Sequence, residues 1–167
     1  MITRILVPTD FSEPSEAALE YARTIARQFG ATFHLLHVVE APVVTGPFSS
    51  EMYIPEPPGL VTELIQEAKL RLARRLLPSD KVHYSATKEV IVGLAAKTIV
   101  QCAGEQKFDL IVMGTHGRTG LAHMLMGSVA EHVVRSAPCP VLTVRGTGQE
   151  RIPIEERVEA GAMVSSR

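Results

Sequence analysis

Tryptophan is absent from this sequence, and aromatic residues make up only 5% of it. A chain this poor in flat side chains is a weak candidate for stacking successive nucleic-acid bases. No charge of one sign predominates either. The net charge is -1, with 17 Lys/Arg against 18 Asp/Glu dispersed along the chain, which leaves no electrostatic footprint for nucleic acid or an anionic membrane. Cysteine is scarce: Cys102 and Cys139 are far apart, with no CxxC pair and no Cys/His ligand spacing. That argues against a disulfide framework or zinc site and for a reducing compartment, with both thiols as inert small hydrophobes. No apolar run is long enough to span a bilayer, and MITRILVPTD turns too early for a signal peptide. The expectation is a soluble, cytoplasmic protein.

What is present is an alternation of short apolar runs with amphipathic stretches. Residues 2–7 form a first strand, ended by Pro8-Thr9-Asp10. Ser12 can cap a helix from about Glu13 that stops at Gly30. Its expected core stripe is Ala18, Ala22, Ile25, Ala26 and Phe29, with Glu16, Glu20, Arg23 and Arg27 on the other side. Residues 32–39 suit a second strand. His34 and His37 lie within it at odd spacing, so they project from opposite faces and do not converge on one metal ion. Residues 40–59 hold five prolines and two glycines, a composition for a loop or lid.

A second helix follows, with Val61, Leu64, Ile65, Ala68, Leu72 and Leu76 on its buried face, Glu67 and Arg71 one turn apart, and Pro78 as its stop. The cluster Arg71, Arg74, Arg75 reads as a solvated face. Alternation at Val82, Tyr84 and Ala86 suggests that a third extended element begins there and runs to Gly93. A helix over residues 94–105 turns Ala95, Ile99 and Cys102 inward, and residues 108–113 form a strand whose LIVM core suits burial on both faces. A helix from Ser128 and a fifth strand, Val141 to Val144, complete the series. Strand and helix alternate throughout, so the fold class is α/β: a single-domain, Rossmann-like, open parallel sheet of five strands with helices on both faces. Ligands in such sheets bind beyond the carboxyl ends of the strands, where the order reverses.

Residues 109–128, DLIVMGTHGRTGLAHMLMGS, are the most informative stretch. An apolar strand breaks at Gly114, a glycine-punctuated polar loop follows, and Gly127-Ser128 opens a helix. Such a layout suits an anion, because backbone N–H groups approach closely where no Cβ intervenes and a helix start favours negative charge. Glycines bounding a loop are also plain turn formers. The loop is not GxxxxGK[ST], since the lysine is missing, and no GxSxG elbow or assembled Ser/His/Asp set is visible.

The spacing Gly114-x-x-Gly117, nine residues, then Gly127-Ser128, after DLIVMG and before SVAEHVV and CPVLTV, resembles the universal stress protein family over residues 1–145. The resemblance implies a fold like that of adenine nucleotide alpha hydrolases, strand order 3-2-1-4-5, and a homodimer joined through the last strand. It places this chain with the ATP-binding branch. Carried over by position, Gly114, Gly117, Gly127 and Ser128 would hold the phosphates. A Cβ at Gly117 is expected to occupy phosphate space, so that Gly117→Val removes ATP binding and leaves the fold intact. Pro8, Thr9 and Asp10 match the first loop, with Asp10 near the ribose or a magnesium-bound phosphate; Val38 reads the adenine edge, and Met113 and Val129 line the pocket. For Asp10 a turn or helix cap competes with this role. Arg118 offers a phosphate contact or a solvent-facing loop position. His123 departs from the Arg or Lys of many relatives, and His116 is a turn or ligand-side residue. The implied function is an ATP-binding, stress-response or regulatory dimeric switch; a slow ATP hydrolase and a nucleotide-free interaction module are the alternatives. Residues 146–167 lie beyond the resemblance and are expected to form a mobile tail.

Overall fold

The computed structural model describes residues 1–40, 59–117 and 126–146. The element order is β1 (Arg4–Pro8), α1 (Glu13–Phe29), β2 (Thr32–Val39), α2 (Leu60–Arg75), α3 (Pro78–Tyr84), β3 (Thr87–Val92), α4 (Ala95–Glu105), β4 (Leu110–Gly114), α5 (Ser128–Ser136) and β5 (Val141–Val144). All five strands join one parallel sheet in the order β3-β2-β1-β4-β5. The central strands are the most apolar because they are covered twice. Alternation along β1 sends Ile5 and Val7 to one face and Leu6 to the other, all fully buried.

On the first face Ala18, Ala22 and Ala26 of α1 and Leu72 of α2 pack over Ile5, Val7, Phe33, Leu35 and Val112. Small residues on α1 let that helix lie close to the sheet. On the second face Ile99 and Cys102 of α4 and Ala130 and Val133 of α5 cover Leu6, Leu36, Ile111 and Met113. Burial, then the nearby carboxylates Glu89 and Glu105, push the Cys102 thiol up to about 11. It packs as a neutral hydrophobe. α1 ends where Gly30 takes a left-handed conformation at φ 66°, a backbone geometry that glycine adopts without steric penalty. The 40–59 stretch lies outside the described residues apart from its two ends, as does the tail beyond Gly146.

Several details differ from the sequence expectation. Residues Pro78–Tyr84 are helical, so the third strand begins only at Thr87. The cause is Asp80, 1% exposed, which accepts the Leu77 N–H at 2.9 Å and receives the Arg23 guanidinium at 2.8 Å. Arg23 is therefore buried on α1 rather than solvated. Burial opposes its charge, but the hydrogen bond and charge of Asp80, helped by Glu20, raise its pKa above the ordinary value. Phe29, in the last turn of α1, is 54% exposed and leaves the stripe to Leu19 and Ser15. Arg75 is not simply solvated either: it pairs with Glu16, and both Arg71 and Arg75 stack on the Phe11 ring.

Candidate functional site

Strand order reverses between β1 and β4. The chain builds outward through β2 and β3, then returns to place β4 on the other side of β1. The carboxyl ends of those two strands therefore splay apart with their following loops, leaving a crevice. A cavity of about 180 Å³ occupies it. Its walls include Pro8 at the end of β1 with Thr9 and Asp10 after it, Val38 on β2, Met113 and Gly114 at the end of β4 with Gly117 beyond, and Gly127, Ser128 and Val129 at the start of α5. Ten of the residues singled out from the sequence thus meet at one place; Arg118 and His123 lie outside the described residues.

The first loop is fixed by a compact hydrogen-bond network. Thr9 N donates to the Leu36 carbonyl at 2.8 Å, and the Thr9 hydroxyl pairs with Ser15 Oγ at 3.0 Å while accepting Phe11 N at 3.0 Å. His37 Nδ1 donates to the Thr9 carbonyl at 2.7 Å, because a carbonyl oxygen can only accept. Asp10 Oδ1 accepts both the Ser12 N–H at 3.1 Å and the Ser12 hydroxyl at 2.5 Å. Ser12 stands at the N-cap of α1, as its position suggests, but its hydroxyl orients Asp10 instead of capping the helix. Phe11 is held at φ 66°, a left-handed backbone that costs a non-glycine residue about 1–3 kcal/mol. The His37 ring, with its centroid 4.4 Å away, and the two arginines hold it there.

The glycines do different things. A Cβ on Gly114 would lie 2.9 Å from the backbone carbonyl carbon of Pro14 and 3.0 Å from Ser15 N. Its bareness lets the first turn of α1 press against the end of β4. On Gly117 a Cβ would lie 2.8 Å from Asp10 Oδ2, so the space it leaves is first of all that of the Asp10 carboxylate. This changes the physical reason expected for Gly117 from a phosphate clash to a clash with the acid beside the cavity. Gly127 is extended at φ -75°, and a Cβ there meets nothing closer than 3.5 Å. It makes its contribution through the backbone: Gly127 N donates to the Thr115 carbonyl at 2.8 Å, which pins the start of α5 to the end of β4. Gly127 lends no side-chain cap to α5, and the first-turn residues Ser128, Val129 and Ala130 all border the cavity. A helix start whose N-cap glycine has no side chain to offer, and which borders a cavity, is a natural place for an anion.

Other parts of the lining are apolar, with Leu36, Val38, Ile99 and Met113. A second cleft of about 510 Å³ adjoins the first, sharing Asp10, Val38, Ala95 and Val129 and adding Phe11, His37, Glu40 and Arg71. Ser15, Thr115, His116 and Ala95 also line the first cavity. Of these the sequence singled out His116 as a turn or ligand-side residue and Ala95 as inward-facing; His116 is buried, with Nδ1 at 3.1 Å from the Thr115 hydroxyl. Ser15 and Ala95 sit in the first turns of α1 and α4, and for Ser15 the only sequence signal was that of a helix start.

A family model described as the universal stress protein family matches residues 1–145. The chain belongs to the universal stress protein family. Among its curated relatives, universal stress protein MJ0531 of Methanocaldococcus jannaschii is 36% identical over 149 residues, covering 88% of this chain and 84% of that protein. The solved structure of MJ0577, from the same organism, superposes with a TM-score of 0.75 at 31% identity, covering 89% of this chain and 99% of that one. A universal stress protein solved in complex with cAMP gives a TM-score of 0.55 at 25% identity, over 87% of this chain and 98% of the other. Fold and strand order are thus those of the family. Among the described residues no three His, Cys, Asp or Glu side chains gather as a metal site, and no helix is long and apolar enough to cross a membrane.

Proposed function

We propose that this universal stress protein binds ATP in the cavity between β1 and β4, and acts as a cytoplasmic, nucleotide-dependent regulatory dimer. The observation that carries the reading is convergence: three separate strand ends and the start of α5 border one cavity. The chemistry of the walls suits such a ligand. Ser128 and the first-turn N–H groups of α5, with the loop beginning at Gly114 and Gly117, offer donors to phosphate oxygens. Val38, Leu36, Ile99 and Met113 offer apolar contact to a base, with the Val38 backbone able to read its edge. Asp10, oriented by Ser12 and close to Gly117, is placed to face the ribose or share a Mg2+ ion with the phosphates; one carboxylate plus substrate oxygens is a common magnesium arrangement. Arg118 would add a charge-assisted contact from the same loop. The complex of a relative with cAMP supports an adenine nucleotide as the ligand class.

The dimer reading rests on β5, which is a sheet edge with Leu142 36% exposed. An unpaired apolar edge is normally covered. In this reading the nucleotide-binding unit is residues 1–145, the span the family model matches.

Calorimetric titration with Mg-ATP, followed by sedimentation velocity with and without the nucleotide, tests both halves. The reading expects one ATP per chain and a dimer whose sedimentation responds to ATP. A monomer at micromolar concentration removes the dimer, and absence of ATP binding removes the function. Steady product release under multiple turnover would favour a hydrolase instead.

A further inference from the structure

β1 and β2 are in register as far as Pro8 and Leu36, after which β2 runs on to Val39 and β1 turns away into the loop that carries Asp10. At the point of departure every polar atom of Thr9 is engaged within the fold. Its N–H goes to the Leu36 carbonyl at 2.8 Å, its own carbonyl receives His37 Nδ1 at 2.7 Å, and its hydroxyl oxygen accepts the Phe11 N–H at 3.0 Å. Ser15 gives its one hydroxyl proton to the Ser12 carbonyl at 2.8 Å, so in the 3.0 Å pair between the two side chains the Thr9 hydroxyl is the donor. Thr9 therefore borders the cavity with both its donors already used. Of the three loop residues on that wall, Pro8, Thr9 and Asp10, it is Asp10 that brings charge to it.

His37 holds the residues on either side of Asp10. Its Nδ1 bonds Thr9 before it, and its ring lies 4.4 Å from the ring of Phe11 after it. Phe11 needs such a hold, because its φ of 66° is one a residue with a Cβ adopts only under constraint. The imidazole is a firm support: His37 is buried, on a strand paired with β1 on one side and β3 on the other. It is not itself among the residues that line the cavity. We propose that His37 is a positioning residue for the nucleotide. By gripping Thr9 and Phe11 it sets the Asp10 carboxylate at the cavity wall, and through Asp10 it governs the affinity for ATP, a role that rests on the cavity being the ATP site.

The test is calorimetric titration with Mg-ATP of the parent, His37→Phe, His37→Asn, Asp10→Asn, and His37→Phe combined with Asp10→Asn. Phenylalanine keeps a ring against Phe11 but has no donor for the Thr9 carbonyl. Asparagine places its amide nitrogen close to the position of Nδ1 and keeps the donor. His37→Phe should weaken ATP binding about five- to tenfold, since a buried carbonyl left without its donor pulls the loop out of place, and His37→Asn should stay closer to the parent. With Asp10→Asn already present, His37→Phe should change the affinity by less than about twofold, because the group it acts through is gone. A merely structural role would instead cost the same in both backgrounds. Circular dichroism spectra that overlay the parent's establish folding; should His37→Phe not fold, His37→Leu takes its place. Should Asp10→Asn bind too weakly to titrate, the two variants at position 37 decide. If ATP binds the parent, then equal losses in both backgrounds, parent-like affinity in folded His37→Phe, or His37→Asn binding no tighter than His37→Phe each overturn the role of His37 while the nucleotide site stands. If the parent does not bind ATP, the nucleotide reading fails and this inference with it.

Discussion

The two ends of the sheet carry an aspartate each, and they use it in opposite ways. At the amino end Asp109 Oδ2 accepts Thr3 N at 2.9 Å, the Thr3 hydroxyl at 2.7 Å and Arg4 N at 2.9 Å, tying β1 to the start of β4. Arg4 adds a bond to the Gln106 carbonyl at 2.5 Å and lies over the Phe108 ring. At the carboxyl end Asp10 Oδ1 accepts the Ser12 N–H and hydroxyl, and the carboxylate faces Gly117 at the cavity wall. One end is sewn shut with the chain's own donors, while the other is kept apart by a strand-order reversal. The difference teaches where function can lie: a carboxylate bonded to backbone N–H groups of a neighbouring strand closes the sheet, and one that lines a cavity borders the space a ligand would fill.

The largest expected effect comes from crossing the two roles. In Gly114→Ala the new Cβ meets α1 backbone at 2.9 Å, and such overpacking costs about 1–3 kcal/mol. Because the displaced segment carries the cavity wall, urea denaturation should show lost stability together with weaker ATP binding. A variant as stable as the parent would mean that the first turn of α1 yields freely. The next variant separates the roles. Gly117→Val should push the Asp10 carboxylate out of place and weaken ATP binding by about tenfold or more, close to 1.4 kcal/mol, with a denaturation midpoint near the parent's. Unchanged affinity would detach Asp10 from the site.

The smallest effect is at the closed end. Hydrogen bonds from the Thr3 side chain and then from the Thr3 and Arg4 backbone hold the Asp109 carboxyl below the usual carboxylate range. Its folded pKa is thus lower than its unfolded one, so its contribution to stability is present above the unfolded value and is lost as pH falls through the folded value. Asp109→Asn should therefore be less stable than the parent near neutral pH, converge with it in acid, and bind ATP unchanged. A difference that persists undiminished in acid would remove Asp109 ionisation as its source.

Much of the fold was legible because its signals are local and redundant. Unbroken apolar strands such as Ile5-Leu6-Val7 and Leu110 to Met113, bounded by Pro8 and Gly114, leave little choice but a doubly covered sheet. What escaped was set by partners far away in the chain. Val82, Tyr84 and Ala86 alternate as a strand would, but Asp80 is buried with Arg23 of α1, a contact of sequence separation 57 that no period records. The stacking of Arg71 and Arg75 on Phe11, and the reach of Glu40 to Ala95, are of the same kind. At the site, residue types and spacing located the cavity, yet the reason for Gly114 lay in α1 and became apparent only with the tertiary contact.

The central claim is that the open end of the sheet binds ATP. Calorimetric titration of the parent with Mg-ATP tests it most directly: the account predicts saturable binding at one nucleotide per chain, weakened in Gly117→Val. Absence of saturable binding to folded protein free of copurified nucleotide would contradict it.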